Sequence, residues 1–172
     1  MKVTILDDYQ DTVRTLKCFG KIASHEVSIW NDHTKDVDLL AARLKNTEAL
    51  VLIRERTPVR APLIERLNQL RIISQAGPYP HIDVDACIRH DVIVSSYTMP
   101  GRPSYATAEL NWGLIIAAMR HLPAEIAALK AGKWQAAPLG TGLRGRTLGI
   151  YGYGRIGAVV AGYGKAFGMN VL

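Results

Sequence analysis

A chain of 172 residues with 48% apolar and 21% charged residues can bury a core in one large domain or two small ones, and this balance excludes a disordered or fibrous chain. The formal net charge is +6, yet residues 1–100 hold 13 basic and 13 acidic side chains; the whole excess lies in residues 101–172, where eight bases accompany two acids. Such a region attracts a small anion such as a pyrophosphate more readily than a nucleic acid, because neither a nucleic-acid motif nor bases interleaved with aromatics accompany it. The longest strongly apolar run, 114–119, is too short to cross a membrane. Asp7 and Asp8 interrupt the apolar stretch that a secretory signal would keep, so a cytoplasmic protein is expected. Cys18 and Cys87 lack CxxC spacing and read as buried free thiols, not as a disulfide framework.

In chain order, residues 3–6 read as a short strand, and a helical segment is predicted near 9–17 from Val13 and Leu16, three apart. Residues 25–30 alternate and predict a second strand. Val37, Leu40, Ala41 and Leu44 have helical spacing. The continuous apolar run 49–53 predicts a buried parallel strand. A short helix over 61–67, a strand over 71–76, a helical turn over 84–89 and a strand at 92–94 follow. Strands alternating with short helices predict a parallel sheet with helices on both faces. Residues 99–103 form a break and candidate hinge, and Ser104 is a candidate N-cap for a long helix over 105–121. Pro123 ends that helix or opens the next, which Gly132 stops. An irregular arm over 134–142 leads into a second βα unit.

That unit carries the chemistry. Residues 147–151 read as a buried strand, and Gly152-Tyr153-Gly154-Arg155-Ile156-Gly157 fits G-x-G-x-x-G. A helix over 158–167 and the start of a strand at 169–172 follow. The motif alone is weak; between a buried strand and a helix it is strong, because that context is what the mechanism needs. Gly152 permits the tight turn, Gly154 leaves room for a pyrophosphate, and Gly157 lets helix and strand pack closely. The amides at the helix start and its dipole favour the phosphate charge. The acid that would read a ribose falls at or beyond Leu172, so NAD and NADP both stay open.

With these segments placed, the chain resembles the D-isomer-specific 2-hydroxyacid dehydrogenase family. The likeness rests on Leu-Arg-Gly-Arg-Thr-Leu-Gly-Ile-Tyr-Gly-Tyr-Gly-Arg-Ile-Gly over 143–157 and Ala-Phe-Gly-Met-Asn-Val-Leu over 166–172. It extends to Leu-Ile-Arg-Glu-Arg-Thr over 52–57, Ile-Asp-Val-Asp-Ala over 82–86, and the helix over 107–120. The resemblance implies a flavodoxin-like, substrate-side domain over 1–100, followed over 101–172 by a long dimer-forming helix and the start of a Rossmann-type domain. It implies hydride transfer between the nicotinamide of NAD or NADP and a 2-hydroxy or 2-oxo acid, in a homodimer. The residues it marks for the cofactor are Gly152, Tyr153, Gly154, Arg155, Ile156 and Gly157, and the loop after the strand 71–76 resembles one whose amides hold a substrate carboxylate. The family's catalytic arginine, acid and histidine lie downstream of Leu172 in this resemblance. No catalytic residue is therefore assigned, and the chain alone is expected to be inactive. The alternative is a non-enzymatic nucleotide-binding or truncated interaction protein of the same family.

The substrate-side candidates are Arg54, Gly77 and Tyr79. Arg54 and Arg56 end a buried strand, where ligands of open α/β sheets bind; the plain alternative is a surface pair with Glu55 or Glu65. Pro78 and Pro80 have no N–H to give a carboxylate, which leaves the amides of Gly77, Tyr79 and His81. His81 beside that loop is a candidate acid/base group, weighed against a structural or solvent-facing position. Asp7 and Asp8 read as a solvated strand end, Glu109 as structural or interfacial, and the face of Trp112, Leu114 and Ile115 as core or dimer contact. No His, Cys, Asp and Glu spacing suggests a metal site.

Overall fold

In the computed structural model, residues 1–97 and 105–172 are described. The predicted hinge at 99–103 and the N-cap at Ser104 lie outside them. The chain divides into two units, Met1–Met99 and Pro100–Leu172.

The first unit holds β1 (Lys2–Ile5), β2 (Glu26–Ile29), α1 (Val37–Leu44), β3 (Ala49–Leu52), α2 (Ala61–Ile64), β4 (Ile72–Ala76), α3 (Val84–Arg89) and β5 (Ile93–Tyr97). Its five strands are all parallel, in the order β2-β1-β3-β4-β5. This is the flavodoxin order, with its reversal point between β1 and β3. The register is set by apolar alignment: Val3 lies opposite Val27 and Ala49, and Ile72 opposite Ala49 and Ile93. Leu44, Leu50, Val59 and Ile73 are fully buried between sheet and helices. Two of the helices, α1 and α3, start where a carboxylate caps them. Asp36 accepts from the Asp38 and Leu39 amides and Asp83 from the Ala86 amide, which satisfies donors that the helix cannot. Each helix then buries one stripe, Leu40 and Leu44 on α1, Ala86 and Cys87 on α3.

Two expectations change here. The segment predicted as helical near 9–17 forms short 3-10 turns at Val13–Thr15 and Lys17–Ile22. A spacing of three is the period of that tighter helix, and neither turn has a buried residue to stabilise anything longer. Cys18 sits on these turns and is exposed, whereas Cys87 is buried as expected.

The second unit holds α4 (Tyr105–Met119), α5 (Leu122–Lys130), β6 (Thr147–Leu148), α6 (Arg155–Ala166) and β7 (Asn170–Val171). The chain turns between α4 and α5 at His121, whose φ is +55°, and Pro123 sits in the first turn of α5. Gly132 (φ +72°) closes α5, its amide on the Leu129 carbonyl. The arm that follows is pinned back: Glu125 accepts from the Ala137 amide (2.8 Å) and Met119 from the Thr141 amide (2.7 Å). β6 and β7 pair in parallel, and the pairing continues as Ile150 donates to Leu172. Trp112 of α4 is 4% exposed; its indole donates to the Val160 carbonyl (3.2 Å) and its ring stacks on Phe167 at 4.6 Å. Trp112 is thus core, while Leu114 on the same helix is exposed. Among the described residues no single helix is long and apolar enough to cross a membrane.

Candidate functional site

The strand–turn–helix at 147–166 gives each glycine of the motif a different reason to be there. Gly152 has φ +103°, a conformation that L side chains rarely adopt. A Cβ on Gly157 would overlap the Gly152 carbonyl oxygen and come within 3.3 Å of Ile150 Cγ2, so the helix rests directly on the turn. Gly154 is unlike both. Its backbone is extended (φ −100°), and a Cβ there would meet nothing within 4 Å. Neither conformation nor packing within the chain demands glycine at 154; open space is what it leaves.

Gly154 is also the N-cap of α6, which begins at Arg155, three residues earlier than predicted. The second half of the motif is therefore the first helical turn and not a loop before it. Among the described residues no side chain of the N-cap closes the helix start. The first-turn amides have no intrahelical acceptor, and they carry the positive end of the helix dipole. Tyr153 is 71% exposed and Ile156 partly so. A cleft of about 430 Å³ adjoins the turn, lined by Asn111, Ile115, Leu148, Ile150, Gly152 and Gly157 among others. The amide-rich, uncapped and sterically open helix start fits a dinucleotide pyrophosphate.

The carboxyl edge of the first sheet carries the other candidates. Arg54 follows β3 with φ +61°; its side chain is 70% exposed and reaches Glu55 only at 3.8 Å. Gly77 follows β4 with φ +107°, and its amide donates to the Tyr97 carbonyl (3.0 Å). That donor, counted as available from the sequence, is consumed by the sheet. With Pro78 and Pro80 lacking N–H, the amides left in the loop are those of Tyr79 and His81. Tyr79 is 44% exposed. His81 is buried at 6%, and neither ring nitrogen has a partner among the described residues. Burial pushes its pKa below the usual histidine value; Glu55 opposes this and Arg60 reinforces it. The imidazole is enclosed, and not the solvent-facing group that the sequence also allowed.

Asp7 and Asp8 correct the expectation of a solvated strand end, since both are 2% exposed. Asp8 folds the chain into the first 3-10 turn: burial raises its pKa, but hydrogen bonds from the Val13 and Thr12 amides and the Thr12 hydroxyl outweigh it, and the pKa is lowered. Asp7 (φ +62°) accepts from Thr57 Oγ1 at 2.6 Å and pairs with His33 Nδ1 at 2.9 Å. Among the described residues no group of three or more His, Cys, Asp or Glu could hold a metal ion.

An all-parallel first unit followed by a glycine turn leading into an uncapped helix defines a two-unit α/β protein of the nucleotide-binding class. Residues 112–172 match the family described as D-isomer specific 2-hydroxyacid dehydrogenase, NAD binding domain. The whole chain is 35% identical to a D-3-phosphoglycerate dehydrogenase of Methanocaldococcus jannaschii, of which it covers 32%. It is 36% identical, over 89% of its length, to a glyoxylate reductase of Korarchaeum cryptofilum, of which it covers 48%. A solved phosphoglycerate oxidoreductase from Vibrio cholerae O395 superposes over 99% of the chain and 55% of its own, with a TM-score of 0.91 and 48% identity. The chain is thus similar to D-isomer-specific 2-hydroxyacid dehydrogenases, and its residues 112–172 match their NAD-binding domain. It spans between a third and about half of the length of these relatives.

Proposed function

We propose that residues 152–157 receive the pyrophosphate of NAD or NADP, and that the protein carrying this chain is a cytoplasmic oxidoreductase interconverting a 2-hydroxy and a 2-oxo acid. The observation that carries this reading is Gly154, a glycine that the chain itself does not need, over the open start of α6. The family match to an NAD-binding domain supports the cofactor, and relatives named for 3-phosphoglycerate and glyoxylate support a small acid of this kind. A nicotinamide cofactor supplies the hydride donor or acceptor. Gly152 shapes the turn, the first-turn amides and the Arg155 charge hold the diphosphate, and Tyr153 and Ile156 flank it. On the first unit, Arg54 and the Tyr79 amide hold the substrate carboxylate, while Gly77 sets the loop's path. Exposed Leu110, Leu114, Ile126 and Leu129 on α4 and α5 support a homodimer.

Saturation-transfer NMR with NADH tests the reading on the chain as it stands. Binding is expected, with Gly154→Val weakening it at least tenfold and lowering the unfolding midpoint only by the small cost of a poorer N-cap. Equal binding by Gly154→Val, or none by either protein, would overturn it. The depleted donor set of the loop at 77–81 favours a second reading, a nucleotide-binding protein without reductase activity. A protein carrying this chain that binds NADH yet turns over no 2-oxo acid in a broad panel would establish that one. By itself the 172-residue chain is expected to consume no NADH.

A further inference from the structure

The point where the order of the first sheet reverses, between β1 and β3, is where open parallel sheets collect ligands at their carboxyl edge. A cavity of about 320 Å³ lies beside it, formed by the segments that follow β2 and β3 and by the starts of α1 and α2. That is the volume of about ten water molecules at roughly 30 Å³ each. Arg54, Gly77 and Tyr79 do not line it, so its argument is independent of the function proposed above.

Its chemistry is two-sided. Val37, Leu40, Pro62 and Leu63 give it an apolar wall, and Lys35, Arg56 and Arg60 stand around it with no aspartate or glutamate among the lining residues. None of these three cations has a carboxylate within 4.0 Å among the described residues. Arg56 donates to the Asp7 carbonyl at 2.5 Å and lies over the Tyr9 ring; Arg60 donates to the Pro80 carbonyl at 3.0 Å. These contacts aim the guanidinium groups without neutralising them. Residues 1–100 carry no net charge, so this positive cluster comes from arrangement and not from composition. The buried acid behind the cavity wall is already occupied: both Asp7 oxygens are taken, by Thr57 and by His33, which are lining residues. The His33 ring, itself part of the lining, is held in place by this contact of its Nδ1 with Asp7.

We propose that this cavity binds a small amphipathic monocarboxylate. Its carboxylate lies against Lys35 and Arg60, a fork suited to two parallel hydrogen bonds, and its hydrocarbon body lies on Val37, Leu40 and Leu63. An inorganic anion would leave the apolar wall unused, and a neutral molecule would leave the cations unmatched.

Titration of the ¹⁵N-labelled chain with phenylacetate, phenylacetamide and inorganic phosphate, followed by amide chemical shifts, tests this. Phenylacetate is expected to give saturable shifts centred on residues 33–40 and 56–63. Phenylacetamide and phosphate are each expected to bind at least tenfold more weakly. Lys35 is exposed, so Lys35→Glu keeps the fold, and it is expected to weaken phenylacetate at least tenfold. Any one of four results overturns the proposal: no saturation by about 20 mM, weaker than the millimolar affinities of minimal ligands; phosphate or the amide binding as tightly as phenylacetate; shifts centred on residues 152–157; or no loss in Lys35→Glu.

Discussion

Replacing Gly157 by alanine adds one methyl group where the chain has least room for it. The new Cβ would overlap the Gly152 carbonyl oxygen, far inside the 3.0 Å that real Cβ atoms keep. A backbone oxygen cannot rotate aside as a side-chain end can, so α6 and the turn must separate by a distance on the order of 1 Å. Further along the same buried face the packing is as close: a Cβ at Gly164 would stand 2.8 Å from Leu148 and 3.1 Å from Val171, and Trp112 is bonded to the Val160 carbonyl, which ties the helix there. Overpacking costs about 1–3 kcal/mol; with a backbone oxygen as the obstacle and the helix tied along the same face, the upper end, about 3 kcal/mol, is expected. That is a factor of a hundred or more in the folding equilibrium. Gly162 of the same helix is the control, since a Cβ there meets nothing within 4 Å. Gly162→Ala is expected to stabilise by about 0.5–1 kcal/mol through helix propensity alone. Urea unfolding followed by the near-ultraviolet signal of the Trp112–Phe167 stack measures both. Two shifts of the same sign and similar size would refute the packing argument.

Two further expectations follow from buried polar groups. His81 is held neutral by burial, so the unfolded chain takes up the proton first as pH falls; the stability it contributes is complete above pH 6.5 or so and is lost below, at up to about 1.4 kcal/mol per pH unit. Urea midpoints between pH 7.5 and 5 should show this slope, reduced in His81→Asn; an identical slope in the variant would place the effect elsewhere. Trp112→Phe keeps an aromatic ring against Phe167 but removes the donor to the Val160 carbonyl, and about 1–2 kcal/mol should be lost. An unchanged midpoint would mean that the stack alone holds α4 to α6.

The parallel sheet was legible because its signals are local. The continuous apolar run 49–53 and the helical spacing of Val37, Leu40, Ala41 and Leu44 sit at the elements that they specify. The glycine turn was legible for the same reason: strand, turn and helix follow one another in the chain. What sequence could not supply was long-range. Asp7, His33 and Thr57 are 26 and 50 residues apart, and only the parallel register, with Ile5 opposite both Ile29 and Val51, brings them to one place. Without that register a double aspartate at a strand end looks solvated. The Gly77 amide was misjudged in the same way, because its acceptor is Tyr97, twenty residues on. The start of α6 was placed late because glycines read as loop, although Gly157 is helical here for a packing reason.

Parallel strands give the first sheet two unlike rims. At the amino rim the main chain closes on itself, with Glu48 donating to Lys2, Arg71 to Glu48 and Ile93 to Arg71. The carboxyl rim carries the arginines, the buried acid–imidazole pair and the proline loop. At the first rim side chains also serve the fold, Glu48 accepting from the Lys2 amide at 2.7 Å and Thr47 bonding Thr4 in the interior, whereas those at the second carry no share of the strand pairing. The two rims can therefore drift under separate selection. Among relatives that share this scaffold, turnover at the exposed carboxyl-rim positions 54 and 79 would mark a change of ligand, whereas turnover of Thr47, Glu48 or Leu70 would mark repacking of the scaffold itself.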